Sequence, residues 1–301
     1  VAIMLSRVLG LIRDQVFAFC FGAGWLMDCF LMAFRIPNLL RDLFAEGALS
    51  SAFVTVFARR KAKEGDESAW RLARLMMTLQ IVVLGGLVIL GILFAPQIVR
   101  LMTPGWTNDS LKVDLTITLT RILFPFILFL GMAALTMGVL NACGRFGLPA
   151  SASSFFNLGS IVVGLTLVFM VDRAFGREAM MCMAVGTLVG GFLQWLIQAP
   201  ALRGQGYRYR PVWDLQDRGL REILRLMAPT LVGASAVQIN VMINSIFASE
   251  LESGAVSWLG FSFRLIQLPI GLFGVAISTV ALPSLAVEAT HFLPEDVEGA
   301  I

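Results

Sequence analysis

Apolar residues run in long, nearly unbroken stretches along this chain, at about 3–21, 27–57, 72–100, 112–141, 149–171, 178–200, 220–249 and 255–287. About 20 apolar residues in a helix cross a bilayer core. The stretches have no alternating apolar and polar period, which excludes an outer-membrane barrel. The pattern predicts eight helical segments, several of them long enough to tilt, kink or project into water. Pro37, Pro125, Pro269 and Pro283 are the candidate kinks. The expected fold class is an all-α polytopic membrane helical bundle.

Composition sharpens this picture. The chain is 57% hydrophobic and only 14% charged, with a mean hydropathy of +0.82, whereas a soluble domain carries about 25% charged residues. It begins at Val1 and stops at "HFLPEDVEGAI", just past an apolar segment, so it is expected to be cut at both ends. No cleavable signal peptide is visible. Cys20, Cys29, Cys143 and Cys182 form no C-x-x-C pair and read as small buried hydrophobes; a Cys20–Cys29 disulfide is the minor alternative.

The basic residues between segments set the orientation. Arg59, Arg60, Lys61, Lys63, Arg71, Arg74, Arg145, Arg203, Arg208, Arg210, Arg218, Arg221 and Arg225 flank the loops after segments 2, 4 and 6, against Arg100, Lys112, Arg173 and Arg177 on the other side. This bias of thirteen to four places the first group, and the chain's start, in the cytoplasm. Trp25, Trp106 and Trp258 then fall at the outer interface, and Trp70 and Trp213 at the inner. The stretch "LRGQGYRYRPVWDLQDRGLRE" interleaves arginine with aromatics, but a cytoplasmic loop obeying the charge rule explains it without nucleic acid.

Six cations remain within the apolar segments: Arg7, Arg13, Arg35, Arg41, Arg121 and Arg264. A cation at a helix centre costs ~2.5–3.5 kcal/mol on insertion scales, so each needs a partner or a polar interior. The acids nearby are Asp14, Asp42 and Glu46, with Asp28 at a junction. Arg7 with Asp14 and Arg35 with Asp42 are two turns apart, ~10.5 Å along one helix. Direct pairing was therefore expected to need other helices, and structural ion pairs remain an alternative. The cations outnumber the acids, and twenty of the 23 basic residues are arginine. Guanidinium forks bind phosphate bidentately and do not lose their charge. A positive intramembrane cavity for a phosphate-bearing substrate is the reading this imbalance favours.

An internal repeat supports a transporter. "AFRIPNLLRDLFAEGALSSAFV" (33–54) matches "SFRLIQLPIGLFGVAISTVALP" (262–283) without gaps, aligning Arg35 with Arg264. Six helices per copy give parallel repeats, with a site expected between lobes. The expected organisation is a six-helix N-lobe over 1–203, a cytoplasmic linker over 204–219, and the first two helices of a second lobe over 220–301. No G-x-x-x-x-G-K-[ST] phosphate loop occurs, so transport would draw on an ion gradient or the membrane potential. An enzyme such as a polyprenyl-pyrophosphate phosphatase would need a nucleophile, base or metal cluster. The single histidine, His291, lies past the last segment, and no metal or cofactor site is read.

"SRVLGLIRDQVFAFCFGAG" followed by "DCFLMAFRIPNLLRDLFAEGALSSAFV" resembles the N-terminal signature of the MurJ/MviN family, and the resemblance continues through "TPGW", "LNACGRFGLPA" and "FRLIQLPIGLFGVAISTVALPSL". The family comprises lipid II flippases of the multidrug/oligosaccharidyl-lipid/polysaccharide exporter superfamily. The resemblance implies a bacterial inner-membrane protein that moves undecaprenyl-pyrophosphate-linked peptidoglycan precursor outward by alternating access, with membrane lipids and cell-wall synthesis or division proteins as further partners. It implies substrate-binding roles for Arg7, Arg13, Asp14, Arg41 and Arg264, supported by Asp28, Arg35, Asn38 and Glu46. Phe263 and Asn244 stand where relatives often carry acids, and the second departure puts sodium coupling in question. The rival cargoes are another polyprenyl-linked glycan or a drug. A cationic drug would call for intramembrane acids rather than excess arginine.

Overall fold

The structure is a computed structural model; it describes the backbone of residues 2–41 and 48–269, and side chains within 4–40 and 52–266. The described residues are helical with no strand. Contacts divide the chain into two units, Val1–Val256 and Ser257–Ile301.

In the first unit each expected segment forms helix. The first is α1 (Ala2–Phe21). The second gives α2 (Trp25–Arg41) and α3 (Ala48–Glu64). The third gives α4 (Asp66–Leu93) and the short α5 (Ala95–Met102), whose first turn carries a proline. The fourth is divided at Pro125 into α6 (Ser110–Leu123) and α7 (Phe126–Ala142). The proline supplies no backbone N–H, so the ladder is interrupted there. α8 (Gly147–Val171) and α9 (Arg177–Leu196) follow, then α10 (Ala199–Gly204) and α11 (Arg218–Ser249). The second unit begins within α12 (Ala255–Pro269). Pro37 lies inside α2, and Pro229, which the sequence analysis did not single out, lies inside α11. Pro283, most of the second repeat copy, and residues 42–47 lie outside the described residues.

Five helical stretches among the described residues are long and apolar enough to cross a membrane: Asp66–Leu93, Ser110–Ala142, Gly147–Val171, Arg177–Gly204 and Arg218–Ser249. α1 has the length but carries Arg7, Arg13 and Asp14. Large apolar side chains such as Phe19, Met170 and Leu93 are exposed at 92%, 77% and 64%, as lipid-facing positions require.

Where helices meet, small residues set the distance. A Cβ on Gly186 of α9 would fall 2.5 Å from the Gly164 Cα and 2.8 Å from the Ser160 carbonyl oxygen of α8. Backbone faces backbone there, and the Ser160 and Thr187 hydroxyls bond across the seam at 3.2 Å. Such close approach is how membrane helices gain dispersion contact when lipid competes for apolar surface. α1 lies on α8, α2 on α6, and α7 against both α4 and α9. Phe53, Phe57, Trp70 and Leu140 join α3, α4 and α7 into one apolar cluster, closed by Leu220 and Ile223 of α11.

Candidate functional site

α1 carries its cation deep in the bundle. Arg13 lies ~16 Å along the helix from Ala2, and the residue is 9% exposed. Its Nη2 donates to the Asp14 Oδ1 at 3.0 Å and its Nε to the same oxygen at 3.3 Å. The guanidinium also lies 5.0 Å from the centroid of the Phe156 ring on α8. A partner was expected from another helix, and the structure corrects this: Asp14 is the next residue. Adjacent helical side chains diverge, yet the 3.0 Å contact shows that the long arginine stem spans the gap. The aromatic ring supplies the second contact, a cation–π interaction.

α8 fixes α1 at this level. Asn157 donates from Nδ2 to the Ser6 carbonyl at 3.2 Å and to the Ser153 carbonyl at 3.1 Å. A Cβ on Gly10 would meet that Nδ2 at 3.5 Å, an ordinary van der Waals contact, so this approach does not demand glycine. Neither Phe156 nor Asn157 was among the expected site residues. The only signal was a polar asparagine inside "SSFFNLGS". Arg7, one turn and a half before Arg13, is exposed.

α2 begins with a buried carboxylate. Asp28 is 2% exposed and its Oδ2 accepts the Gly254 backbone N–H at 2.6 Å. Gly254 has φ +100°, a conformation that L side chains rarely adopt, so the turn between α11 and α12 can present that N–H only with glycine. Nearby, the Pro104–Trp106 turn packs on the end of α11: a Cβ on Gly105 would fall 2.3 Å from the Ser249 carbonyl oxygen. Trp106 is therefore 5% exposed, whereas Trp25 and Trp258 are exposed at 37% and 49%. Further along α2, Arg35 is half-buried and Asn38 has a buried Oδ1 with no hydrogen-bond partner among the described residues. The Arg41 side chain, Asp42 and Glu46 lie outside the described residues.

The other end of α11 is tied to α3. Asp217 caps α11, accepting from the Gly219 and Leu220 N–H groups at 2.8 and 3.2 Å. It also accepts Arg60 Nη1 with both oxygens, at 2.8 and 3.0 Å. Burial pushes the Asp217 carboxyl up, but the Arg60 hydrogen bond and charge and the two backbone donors outweigh it and hold it below its ordinary value. Arg59 pairs with Glu222 beside it. Between its two tethered ends α11 has no buried residue from 228 to 244, although this stretch holds Thr230, Ser235, Gln238, Asn240 and Asn244. Asn244 donates to the Asn240 Oδ1 at 2.7 Å.

Arg121 is exposed on α6 and its Nε reaches the Ile92 carbonyl at 3.4 Å. All four cysteines are free thiols, and Cys29 alone is fully buried. Among the described residues no group of three or more His, Cys, Asp or Glu could hold a metal ion. In the second unit, Arg264 lies exposed on α12.

A sequence profile described as "Lipid II flippase MurJ" matches residues 17–296. The chain belongs to the MurJ family. It is 40% identical over 296 residues to the probable lipid II flippase MurJ of Haemophilus influenzae, covering 94% of this chain and 56% of that protein. It is 38% identical over 287 residues to the lipid II flippase MurJ of Burkholderia cenocepacia, covering 94% and 55%. The chain thus spans about half the length of the curated relatives it matches. Among solved structures, a lipid II flippase MurJ in an inward closed conformation superposes with a TM-score of 0.76 at 27% identity, over 97% of this chain and 59% of that one. An inward-facing multidrug resistance transporter of the MATE family superposes with a TM-score of 0.73 at 17% identity, over 94% and 63%. The second likeness shows the fold alone. The MurJ fold therefore accounts for the helix order.

Proposed function

We propose that this chain is the substrate-binding portion of a lipid II flippase, a secondary transporter rather than an enzyme, in the bacterial inner membrane with its N-terminus in the cytoplasm. Its cargo is undecaprenyl-pyrophosphate-linked muropeptide, carried from the cytoplasmic to the periplasmic leaflet for cell-wall synthesis. The organisation is an N-lobe over 1–203, a linker over 204–219 and the start of a second lobe from 220.

The observation that carries this reading is the Arg13 guanidinium, fixed ~16 Å into α1 at 9% exposure. A permanently charged fork at that depth is costly unless it is used. Asp14 and Phe156 hold it in place, while Asp14 neutralises part of its charge. An anion bound there is held by a cation already shared with a carboxylate, which keeps binding weak enough for release. Arg7, Arg41 and Arg264 supply the remaining positive charge for the diphosphate. Asp28, Arg35, Asn38 and Glu46 support them. The Asp28–Gly254 bond and the Gly105 contact seal the end that the charge rule assigns to the periplasm; alternating access requires both to open.

The test is complementation of a flippase-depleted strain by the full-length gene. Arg13→Ala and Arg41→Ala should each abolish growth while the protein still inserts. Normal growth of either variant would remove that residue from the site. Excess arginine disfavours a cationic drug as cargo. Direct binding of lipid II against another polyprenyl-linked glycan separates the remaining rival.

A further inference from the structure

A small void of about 10 Å³ lies where α2, α5 and α6 meet. None of its lining residues is among the expected substrate residues. Its apolar lining includes Met32 of α2 and Val99 and Met102 of α5, all buried. Thr103, directly after α5, and Thr116 and Thr120 of α6 add three buried hydroxyls.

Each of these hydroxyls has already given its hydrogen away. Thr103 donates to the Val99 carbonyl at 2.8 Å, Thr116 to the Lys112 carbonyl at 2.7 Å, and Thr120 to the Thr116 carbonyl at 2.7 Å. A threonine oxygen that has donated in this way still has lone pairs that accept. The void is therefore bordered by acceptors, and no lining side chain has a spare donor. No lining residue carries a charge either, so an ion would stand there unpaired at high cost. An apolar void of this kind stays dry, but two or more polar partners hold a water, and the volume admits only one. Thr116 and Thr120 stand one turn apart, about 5–6 Å. A water spans such a gap with two hydrogen bonds of ~2.8 Å.

We propose that one structural water occupies this void, donating its two hydrogens among the Thr103, Thr116 and Thr120 oxygens. It ties α6 to the chain at Thr103. That chain continues into the Pro104–Trp106 turn, where Gly105 approaches the Ser249 carbonyl. The water thus braces the base of that seal. Only the placement of the seal at the periplasmic end rests on the function proposed above; water binding does not.

X-ray footprinting of the purified full-length protein tests this without transport. Pulsed X-rays split water into hydroxyl radicals, which oxidise the side chains beside that water; methionine gains one oxygen. Met32 and Met102 line the void at 3% and 4% exposure. Met76 and Met27 have a matching 2% and 4% exposure and do not line it, so bulk radicals reach all four alike. Met32 and Met102 should be oxidised faster than Met76 and Met27. Thr116→Val/Thr120→Val keeps the shape of both side chains and leaves Thr103 as the only lining hydroxyl, one partner where a buried water needs two. That variant should lose the excess oxidation at Met32 and Met102. Gel filtration shows whether it folds, and the comparison within the parent stands without it. Equal oxidation of the four methionines in the parent, or an unchanged excess in the folded double variant, would each overturn the proposal.

Discussion

Asp217 holds α11 in two ways at once, and the two can be separated. Asp217→Asn keeps an oxygen for the Gly219 and Leu220 N–H groups but removes the charge that faces Arg60. Asp217→Ala removes both. A lost N-cap costs about 1 kcal/mol, and a hydrogen bond to a charged partner is worth about 1.5–3 kcal/mol. The Arg60 and Asp217 side chains are 15% and 6% exposed, so screening by solvent removes only part of this. The expected losses are about 2 kcal/mol for Asn and about 3 kcal/mol for Ala. The pair should show a coupling of about 1 kcal/mol or more in a double-mutant cycle with Arg60→Ala, read by reversible unfolding in mixed micelles. The pH dependence has a definite sign. The folded carboxyl titrates below its ordinary value, so the unfolded state binds the proton more readily. The stabilisation is complete above the unfolded value, ~4, and disappears as pH falls through the lower folded value. Parent and Asp217→Asn should therefore differ by a constant amount from pH 7 to 5 and converge in stronger acid. Additive single variants, or a difference that fades between pH 7 and 5, would refute this account.

Asp28→Ala should leave the Gly254 N–H without its acceptor, costing about 1.5–3 kcal/mol at that contact. A cysteine placed at Gly105 or Ser249 would report the opening through faster labelling by a membrane-impermeant maleimide; unchanged labelling in the Asp28→Ala background would show that the bond does not hold this end shut. Gly186→Ala forces a Cβ into the Gly164 and Ser160 backbone, and overpacking of this kind costs about 1–3 kcal/mol. A Gly186→Ala protein as stable as the parent in the same micelle assay would mean that α8 and α9 can separate freely. Phe156→Leu should remove the cation–π contact with Arg13, worth about 0.5–2 kcal/mol, and weaken complementation less than Arg13→Ala does. Full loss of growth would assign the ring a larger role than seating the guanidinium.

Local chemistry determined a good deal of this protein. Unbroken apolar runs can satisfy their backbone in lipid only as helices, so segments such as 149–171 and 178–200 were legible to within a few residues of α8 and α9. The charge imbalance singled out Arg13 because a guanidinium within a span is costly wherever the helix lands. What each side chain meets depends on helix rotation and on which helices touch, and neither is written in any one segment. The Asp14 carboxylate meets the Arg13 guanidinium at 3.0 Å on the same helix. Phe156 lies 5.0 Å from the guanidinium because α1 packs on α8. Asp28 finds Gly254 across 226 residues of chain, and Asp217 finds Arg60 across 157. The sequence by itself determined the membrane, the helices and the sign of the buried charge. Only the tertiary structure decided which residue balances each charge, because a partner is chosen by distance in space and not by separation along the chain.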